Sequence, residues 1–254
     1  MTTKTISKIC LLVALGLASV VFNACKDPDP KPSDTEQTTT DPADPNKPND
    51  PNKPNDPKPT DPSQTDAGVV INGVKWATRN VDAFGTFAEK PESSGMFYQW
   101  NRKKAWSATT PAAGVEIGEA GGWDATIPTG TIWEKANDPS PKGWRVPTLQ
   151  EQQSLFDTEK VTNEWTTQNG ITGRKFTDRT TGISLFLPAV GNRSRSAGEL
   201  RDAGVYGVYW ISTPDEVNDG GDTRAYDAYF TEGYVRVGTA GRNYGLSVRS
   251  VLAE

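Results

Sequence analysis

The chain contains few of the side chains that usually carry out catalysis, and this limits the chemistry open to it. It has no histidine, and its only cysteines are Cys10 and Cys25. A Ser-His-Asp triad, a Cys-His pair and a His-ligated zinc or copper site are therefore excluded. With 32 Asp and Glu residues, a two-carboxylate active site or an oxygen-ligated calcium site stays open. No carboxylate pair stands out by spacing, so we expect a non-catalytic protein without a cofactor.

The densest group of oxygen ligands is the segment 215–222, which reads Asp-Glu-Val-Asn-Asp-Gly-Gly-Asp. Such a segment could hold calcium. It lacks the bidentate Glu that follows the glycine of an EF-hand loop by six positions. We interpret it as an acidic, solvated turn and predict no metal site.

Aromatic side chains are better candidates for a binding surface, because exposed Trp and Tyr stack on sugar rings and are frequent in binding hot spots. Trp106, Trp123 and Trp165 are flanked by polar and glycine residues. These surroundings predict an exposed position and a ligand contact for each. Other tryptophans lie in strand-like or motif positions and are predicted to be buried: Trp100, Trp144 and Trp210.

The first 24 residues have the composition of an export signal. Lys4 and Lys8 precede an apolar run over residues 9–22, which is shorter than the roughly 20 residues that span a bilayer. The run ends just before Cys25, and this ending resembles a lipobox, whose cysteine is acylated after cleavage. We predict a signal peptide over 1–24, lipidation at Cys25 and membrane attachment through the lipid. A plain secretory leader is the alternative.

Residues 25–66 form a predicted spacer between this anchor and the domain. From residue 26 to residue 66 the chain has no aromatic, Leu, Ile or Val residue, and it holds eleven of the 19 prolines. Such a segment cannot bury enough apolar surface to fold, and its prolines favour an extended chain. Lys26 followed by acids resembles the surface-export signal of Bacteroidetes lipoproteins. We therefore expect an outer-membrane lipoprotein exposed at the cell surface.

The charge of the chain argues against nucleic acid as a partner. The net charge is -5, and the acidic spacer accounts for most of it. The remaining domain, residues 67–254, is close to neutral and has no basic stripe with interleaved aromatic residues.

The elements of this domain, residues 67–254, are predicted to be mostly strands. Residues 69–76 centre on Asn-Gly, which is typical of a type I′ hairpin. Residues 101–142 lack periodicity and predict long loops. Thr148 and Glu151 form a capping box that indicates the start of a helix. Further strands are expected over residues 96–100, 183–187, 205–212, 224–230, 234–237 and 246–251. The pattern is that of a mixed α+β domain.

Four segments of the domain carry a family resemblance. They are Gly-Met-Phe-Tyr-Gln-Trp-Asn-Arg at 95–102, Asn-Asp-Pro-Ser-Pro-Lys-Gly-Trp-Arg-Val-Pro-Thr at 137–148, Trp-Ile-Ser-Thr at 210–213 and Gly-Leu-Ser-Val-Arg-Ser-Val at 245–251. In this order they resemble the Fibrobacter succinogenes major paralogous domain, which is common in Bacteroidetes surface lipoproteins. The resemblance implies a C-type-lectin-like fold, related to formylglycine-generating enzymes, with twisted antiparallel strands, one or two helices and long loops.

The resemblance also implies several residue roles. Family members often have cysteines at the positions of Ser140 and Ser250, so the two serines should lie together where a disulfide is lost. Arg145 and Arg249, in the most family-like motifs, are expected to bond backbone carbonyls or an acid inside the domain. Binding a carboxylate substrate is the alternative for Arg145.

The expected partner of the domain is a glycan or a protein on a host or bacterial surface. The tail from Trp210 to Val251 also resembles the variable region of diversified lectin-fold receptors. In that alternative, Arg224, Tyr226 and Tyr229 would contact the ligand, together with Asp227 and the segment 215–222. A carboxylate-dependent enzyme of the same fold is a further alternative.

Overall fold

The computed structural model describes residues 61–108, 122–216 and 223–253, which all belong to one compact unit. The leader, Cys25, the spacer up to residue 60 and the segment 217–222 lie outside the described residues. Within the described residues, no helix is long and apolar enough to span a membrane.

Short antiparallel strands are the main regular structure of the described residues, which also contain one α-helix, α1, at Leu149–Leu155. In chain order the strands are β1 Val69–Ile71, β2 Val74–Trp76, β3 Phe97–Tyr98, β4 Ala105–Trp106, β5 Trp144–Arg145, β6 Val161–Gln168, β7 Ile171–Asp178, β8 Ser184–Pro188, β9 Asn192–Arg193, β10 Leu200–Arg201, β11 Gly207–Pro214, β12 Arg224–Phe230, β13 Val235–Gly241 and β14 Val251–Leu252. The domain is therefore strand-rich α+β, as predicted at the level of fold class.

Two hairpins turn on the same dipeptide. Asn72 and Gly73 join β1 to β2 with φ angles of 45° and 81°, and Asn169 and Gly170 join β6 to β7 with φ angles of 48° and 83°. Positive φ at both central residues defines the type I′ turn, which Asn-Gly accepts at little cost. The first hairpin was predicted from this sequence and is confirmed, whereas the second was not predicted.

The predicted helix is confirmed together with its cap. Thr148 accepts a hydrogen bond from the Glu151 backbone N–H, and the Glu151 carboxylate accepts one from the Thr148 backbone N–H. This reciprocal pair satisfies two of the donors that a helix N-terminus leaves without partners. The helix contacts β2 and β11. It therefore lies between the sheet that contains β2 and the sheet that contains β11.

The first and last strands share one sheet, whose order is β1-β2-β14-β5. Val251 of β14 pairs with Trp76 on one side and with Arg145 on the other. The strand predicted over residues 246–251 is shorter than expected, because Leu246 and Ser247 make only isolated bridges to Tyr98 and Tyr209.

The folded region begins before residue 67. Asp61 caps a 3-10 turn at Pro62–Gln64. The Asp66 carboxylate then accepts hydrogen bonds from Thr78 and pairs with Arg79 at 3.2 Å. Residues 61–66, which the composition assigned to the spacer, are thus held against the domain by polar contacts rather than by apolar burial.

Candidate ligand-binding cavity

A three-stranded sheet, β11-β12-β13, forms one wall of the candidate site. Its register places Asp227 opposite Trp210 and Gly238, and Tyr229 opposite Val208 and Arg236. Directly paired residues project from the same face of a sheet. The face that presents Asp227 therefore combines very small side chains with large ones, and this difference in size makes it concave.

A cavity of about 370 Å³ opens on this face. This volume lies within the range of small-molecule sites in proteins. The lining residues are Asn192, Tyr206, Val208, Arg224, Asp227, Tyr229, Arg236, Gly238, Thr239, Ala240, Tyr244 and Leu246. We call it the Asp227 cavity.

Asp227 is the unusual residue of the cavity. Its side chain is almost fully buried, and its Oδ1 atom has no hydrogen-bond partner. Burial raises the pKa of this carboxyl group to about 7, although Arg236 and Arg224 act in the opposite direction. A Cβ atom on Gly238 would lie 2.8 Å from Asp227 Oδ1, so glycine at this position leaves the carboxyl group its space.

The two arginines of the cavity differ in how they are held. Arg224 donates from Nε and Nη2 to Thr239 Oγ1, at 3.0 and 2.7 Å. The Arg236 guanidinium lies 5.1 Å from the ring centre of Tyr229 and 5.9 Å from that of Tyr234. Among the described residues, neither a hydrogen bond nor an ion pair occupies the Arg236 fork.

Tyrosine rings form the aromatic part of the wall. The Tyr229 ring centre lies 5.2 Å from that of Tyr206 and 5.7 Å from that of Tyr234. Burial, followed by a hydrogen bond with Tyr234, raises the pKa of the Tyr229 hydroxyl to about 12. Tyr229 is therefore uncharged at neutral pH and offers a ring face and a hydroxyl group.

The structure separates the three candidates on β12. Arg224 and Tyr229 line the Asp227 cavity. Tyr226 pairs with Thr239 and projects from the opposite face to Asp227 and Tyr229. Tyr226 is not among the residues that line the cavity, whereas Arg224 reaches it from the end of the strand.

Trp106 is buried, so the prediction that it is exposed is wrong. It pairs with Phe97 across β3 and β4 and packs in a small core cluster with Val190. Trp123 covers it, with ring centres 4.6 Å apart. The residues next to Trp106 in the sequence are polar, but β4 directs the Trp106 side chain into the core.

Trp123 and Trp165 are both partly buried. Trp123 donates from Nε1 to the Arg195 carbonyl at 3.0 Å, and the Trp165 ring contacts Phe230 edge-on with centres 6.5 Å apart. Neither lines the Asp227 cavity. A ligand contact by either one stays a prediction.

The predicted structural roles of Arg145 and Arg249 are confirmed. Arg145 binds both carboxylate oxygens of Glu151, at 2.8 and 2.7 Å. Arg249 is fully buried, and its guanidinium donates to Asn80 Oδ1 and to the carbonyl groups of Ala77, Thr78 and Phe186.

Ser140 and Ser250 lie in contact, as the family resemblance predicts. The Ser250 hydroxyl donates to Ser140 Oγ at 2.8 Å. The loop before β5 therefore lies directly against the start of β14.

A second cavity, of about 420 Å³, lies beside the first and shares Arg224 with it; its other lining residues include Ile127, Arg195, Thr223 and Asn243. The Asn243 amide already donates to the Ala125 carbonyl at 2.9 Å. The Asp227 cavity is the stronger candidate because its buried acceptor is unsatisfied.

Sequence reasoning did not select Arg236, Tyr206 or Tyr244. Alternation along β12 could have placed Asp227 and Tyr229 on one face, but the partners across the sheet depend on a register that the sequence does not display.

Within residues 61–108, 122–216 and 223–253, no group of three or more Asp, Glu, His or Cys residues could hold a metal ion.

Comparison of the chain with protein-family models, with curated proteins and with solved structures finds no match.

Proposed function

We propose that this chain is a surface lipoprotein whose domain binds a glycan in the Asp227 cavity without catalysis. The observation that carries the proposal is the buried Asp227 Oδ1 without a partner. An unsatisfied buried polar group costs about 1–3 kcal/mol. A ligand hydroxyl that bonds to the Asp227 carboxyl group offsets part of this free-energy cost. This offset favours the bound state over the free protein.

The composition of the cavity favours a sugar over a protein surface. Tyrosine rings such as Tyr229 offer flat apolar faces to the C–H groups of a sugar, while carboxyl and amide groups bond its hydroxyls. The cavity is concave and small, whereas a protein partner needs a broad contact of roughly 800 Å² on each side. A protein ligand becomes the conclusion if no glycan binds.

The C-type-lectin-like fold belongs to the same proposal. The contact between Ser140 and Ser250 supports it, because the family resemblance requires these distant positions to meet. The strand-rich α+β architecture supports it at a coarser level.

A glycan array with two matched variants tests the binding site. Tyr229→Ala removes an aromatic wall of the cavity, and Tyr226→Ala removes the same side chain from the opposite face of the same strand. We expect Tyr229→Ala to lower binding at least tenfold and Tyr226→Ala to leave it within about twofold. No glycan bound by the wild-type protein, or equal losses in both variants, would overturn the proposal.

Anchoring is tested separately by Cys25→Ser. We expect the wild-type protein to partition into detergent and to carry the mass of attached acyl chains, because a diacylated cysteine binds membranes stably. The variant should lose both properties while keeping its glycan binding. Unchanged partitioning and mass would remove the lipoprotein assignment.

A glycosidase is the second candidate, and one observation favours it: a carboxyl group with a pKa near 7 can act as a general acid. Hydrolysis by the usual route needs a second carboxylate, and Asp227 is the sole acid among the described residues that line the cavity. Incubation of bound glycans with the protein, followed by an assay for new reducing ends, decides between the two. New ends formed by wild type and not by Asp227→Asn would establish an enzyme.

A further inference from the structure

Two polar groups of the Asp227 cavity have opposite chemical demands and do not satisfy each other. Asp227 Oδ1 is buried without a partner, and the Arg236 fork is unoccupied among the described residues. No ion pair joins these two side chains, although both line the same cavity. Arg236 is exposed to solvent in the free protein, so a ligand that fills this site meets a buried carboxyl group and an exposed guanidinium group together.

The balance of charge in the cavity favours an anionic ligand. Arg224 and Arg236 supply the positive charges of the cavity, while burial raises the pKa of the Asp227 carboxyl to about 7, so this group is largely neutral below that pH. Among the described lining residues no other charged side chain is present. Two arginines and one buried carboxyl group thus give the cavity an excess of positive charge.

The shape of the Arg236 group further specifies the anion. A guanidinium fork matches a carboxylate through two parallel hydrogen bonds. Arg236 also lies beside the ring faces of Tyr229 and Tyr234. A sugar ring that packs on the tyrosine wall would place a substituent of that ring next to the fork.

We infer that the Asp227 cavity selects acidic sugars, with the ring carboxylate bound by Arg236 and a ring hydroxyl bonded to Asp227. This inference rests on the proposed glycan-binding function and narrows its ligand class. A free sugar acid and an acidic residue within a polysaccharide share this chemistry. A neutral sugar would leave the exposed Arg236 fork to water.

Binding of matched glycan pairs tests the inference on the full mature protein. The probes are oligosaccharides that end in glucuronate, galacturonate or sialate, their neutral glucose and galactose counterparts, 6-sulfated counterparts, and the free uronic acids. We expect at least one carboxylated probe to bind at least tenfold more tightly than its neutral partner. Free uronic acids that compete fully with the oligosaccharides would assign the site to sugar acids as such, and weak competition would assign it to the polymer.

Variants at position 236 show whether the fork is responsible. Arg236→Gln should reduce the ratio of acidic to neutral affinity to about one, and Arg236→Lys should retain only part of it because a lysine lacks the fork. Arg179→Gln, an exposed arginine at the end of β7, is the matched control and should keep the wild-type ratio. Unfolding curves identify any variant that fails to fold.

The outcomes separate this inference from the function beneath it. Equal binding of acidic and neutral probes, a preference for sulfated probes, or an unchanged ratio in Arg236→Gln would overturn the acidic-sugar inference while glycan binding stands. Binding of no probe at all would overturn the proposed function as well.

Discussion

Two buried ionisable groups in this domain are treated in opposite ways. Arg249 lies on the segment before β14 and donates to oxygens on two other segments of the chain, residues 77–80 and Phe186. Asp227 lies in the middle of β12 and leaves an oxygen without a partner. Arg249 stabilises the fold, whereas Asp227 has an acceptor that a ligand could satisfy.

The charge states of the two groups follow from this difference. Burial lowers the pKa of the Arg249 guanidinium to about 10, so it remains charged at neutral pH and its hydrogen bonds offset the cost of burying the charge. Burial raises the pKa of the Asp227 carboxyl to about 7, so this group gives up its charge instead. A buried ionisable group whose hydrogen bonds are all made indicates a structural role. A buried ionisable group that lacks a hydrogen-bond partner marks a candidate binding site.

The largest expected effect comes from breaking the bonded group. Arg249→Met should lower the free energy of unfolding by about 3–5 kcal/mol, because it leaves Asn80 Oδ1 and three carbonyl groups without their donor. Denaturant unfolding measures the loss. Arg179→Met, on an exposed turn, should cost less than about 0.5 kcal/mol. A loss below about 1 kcal/mol for Arg249→Met would contradict the structural role.

Asp227→Asn should change how stability depends on pH. Below pH 4 the carboxyl group is protonated in both the folded and the unfolded chain. Between pH 4 and 7 it ionises in the unfolded chain while burial keeps it protonated in the folded domain. The wild-type free energy of unfolding therefore falls as the pH rises through this window, by up to about 4 kcal/mol. The Asp227→Asn variant lacks this fall because asparagine does not ionise.

The measurement is the difference between the two unfolding free energies at each pH, since other carboxylates contribute equally to both proteins. We expect Asp227→Asn to gain stability relative to wild type from pH 4 to pH 7 and to hold that gain above pH 8. Arg224 and Arg236 are the charged side chains that line the cavity with this carboxyl group, and both proteins keep them. Parallel profiles would show that Asp227 is not protonated by burial.

The smallest effect should come from a cross-link in the bonded region. Ser140→Cys with Ser250→Cys replaces a hydroxyl contact of 2.8 Å and closes a long loop. The oxidised double variant should gain about 1–3 kcal/mol, below the chain-entropy limit because of strain, and each single variant should gain nothing. Loss of stability on oxidation would mean that the two backbones do not have disulfide geometry.

Local signals predicted part of this fold. The Asn72-Gly73 turn and the Thr148 capping box act within a few residues, and both elements form where expected. The second Asn-Gly turn was missed because β6 and β7 are rich in Thr, Asn, Glu and Lys, which hides their alternation. Trp106 shows the opposite error, since its polar neighbours suggested exposure although pairing with Phe97 buries it.

The Asp227 cavity could be predicted only in part. Arg224 and Tyr229 stand on one predicted strand and were selected from it. Arg236 reaches the cavity from β13, across the short turn at 231–234, and Tyr206 reaches it from the loop before β11. The sequence pattern does not mark the register of the β12–β13 hairpin, and Tyr206 is brought to the cavity only by the pairing of β11 with β12.

The position of β14 has a consequence for when the domain can fold. The last strand of the chain lies inside the sheet, between β2 and β5, so its two neighbours have no connection until the final residues arrive. This sheet can therefore close only after Val251 and Leu252 have been synthesised. Under the export proposed for this chain, the same two residues would have to pass the secretion channel before the sheet forms.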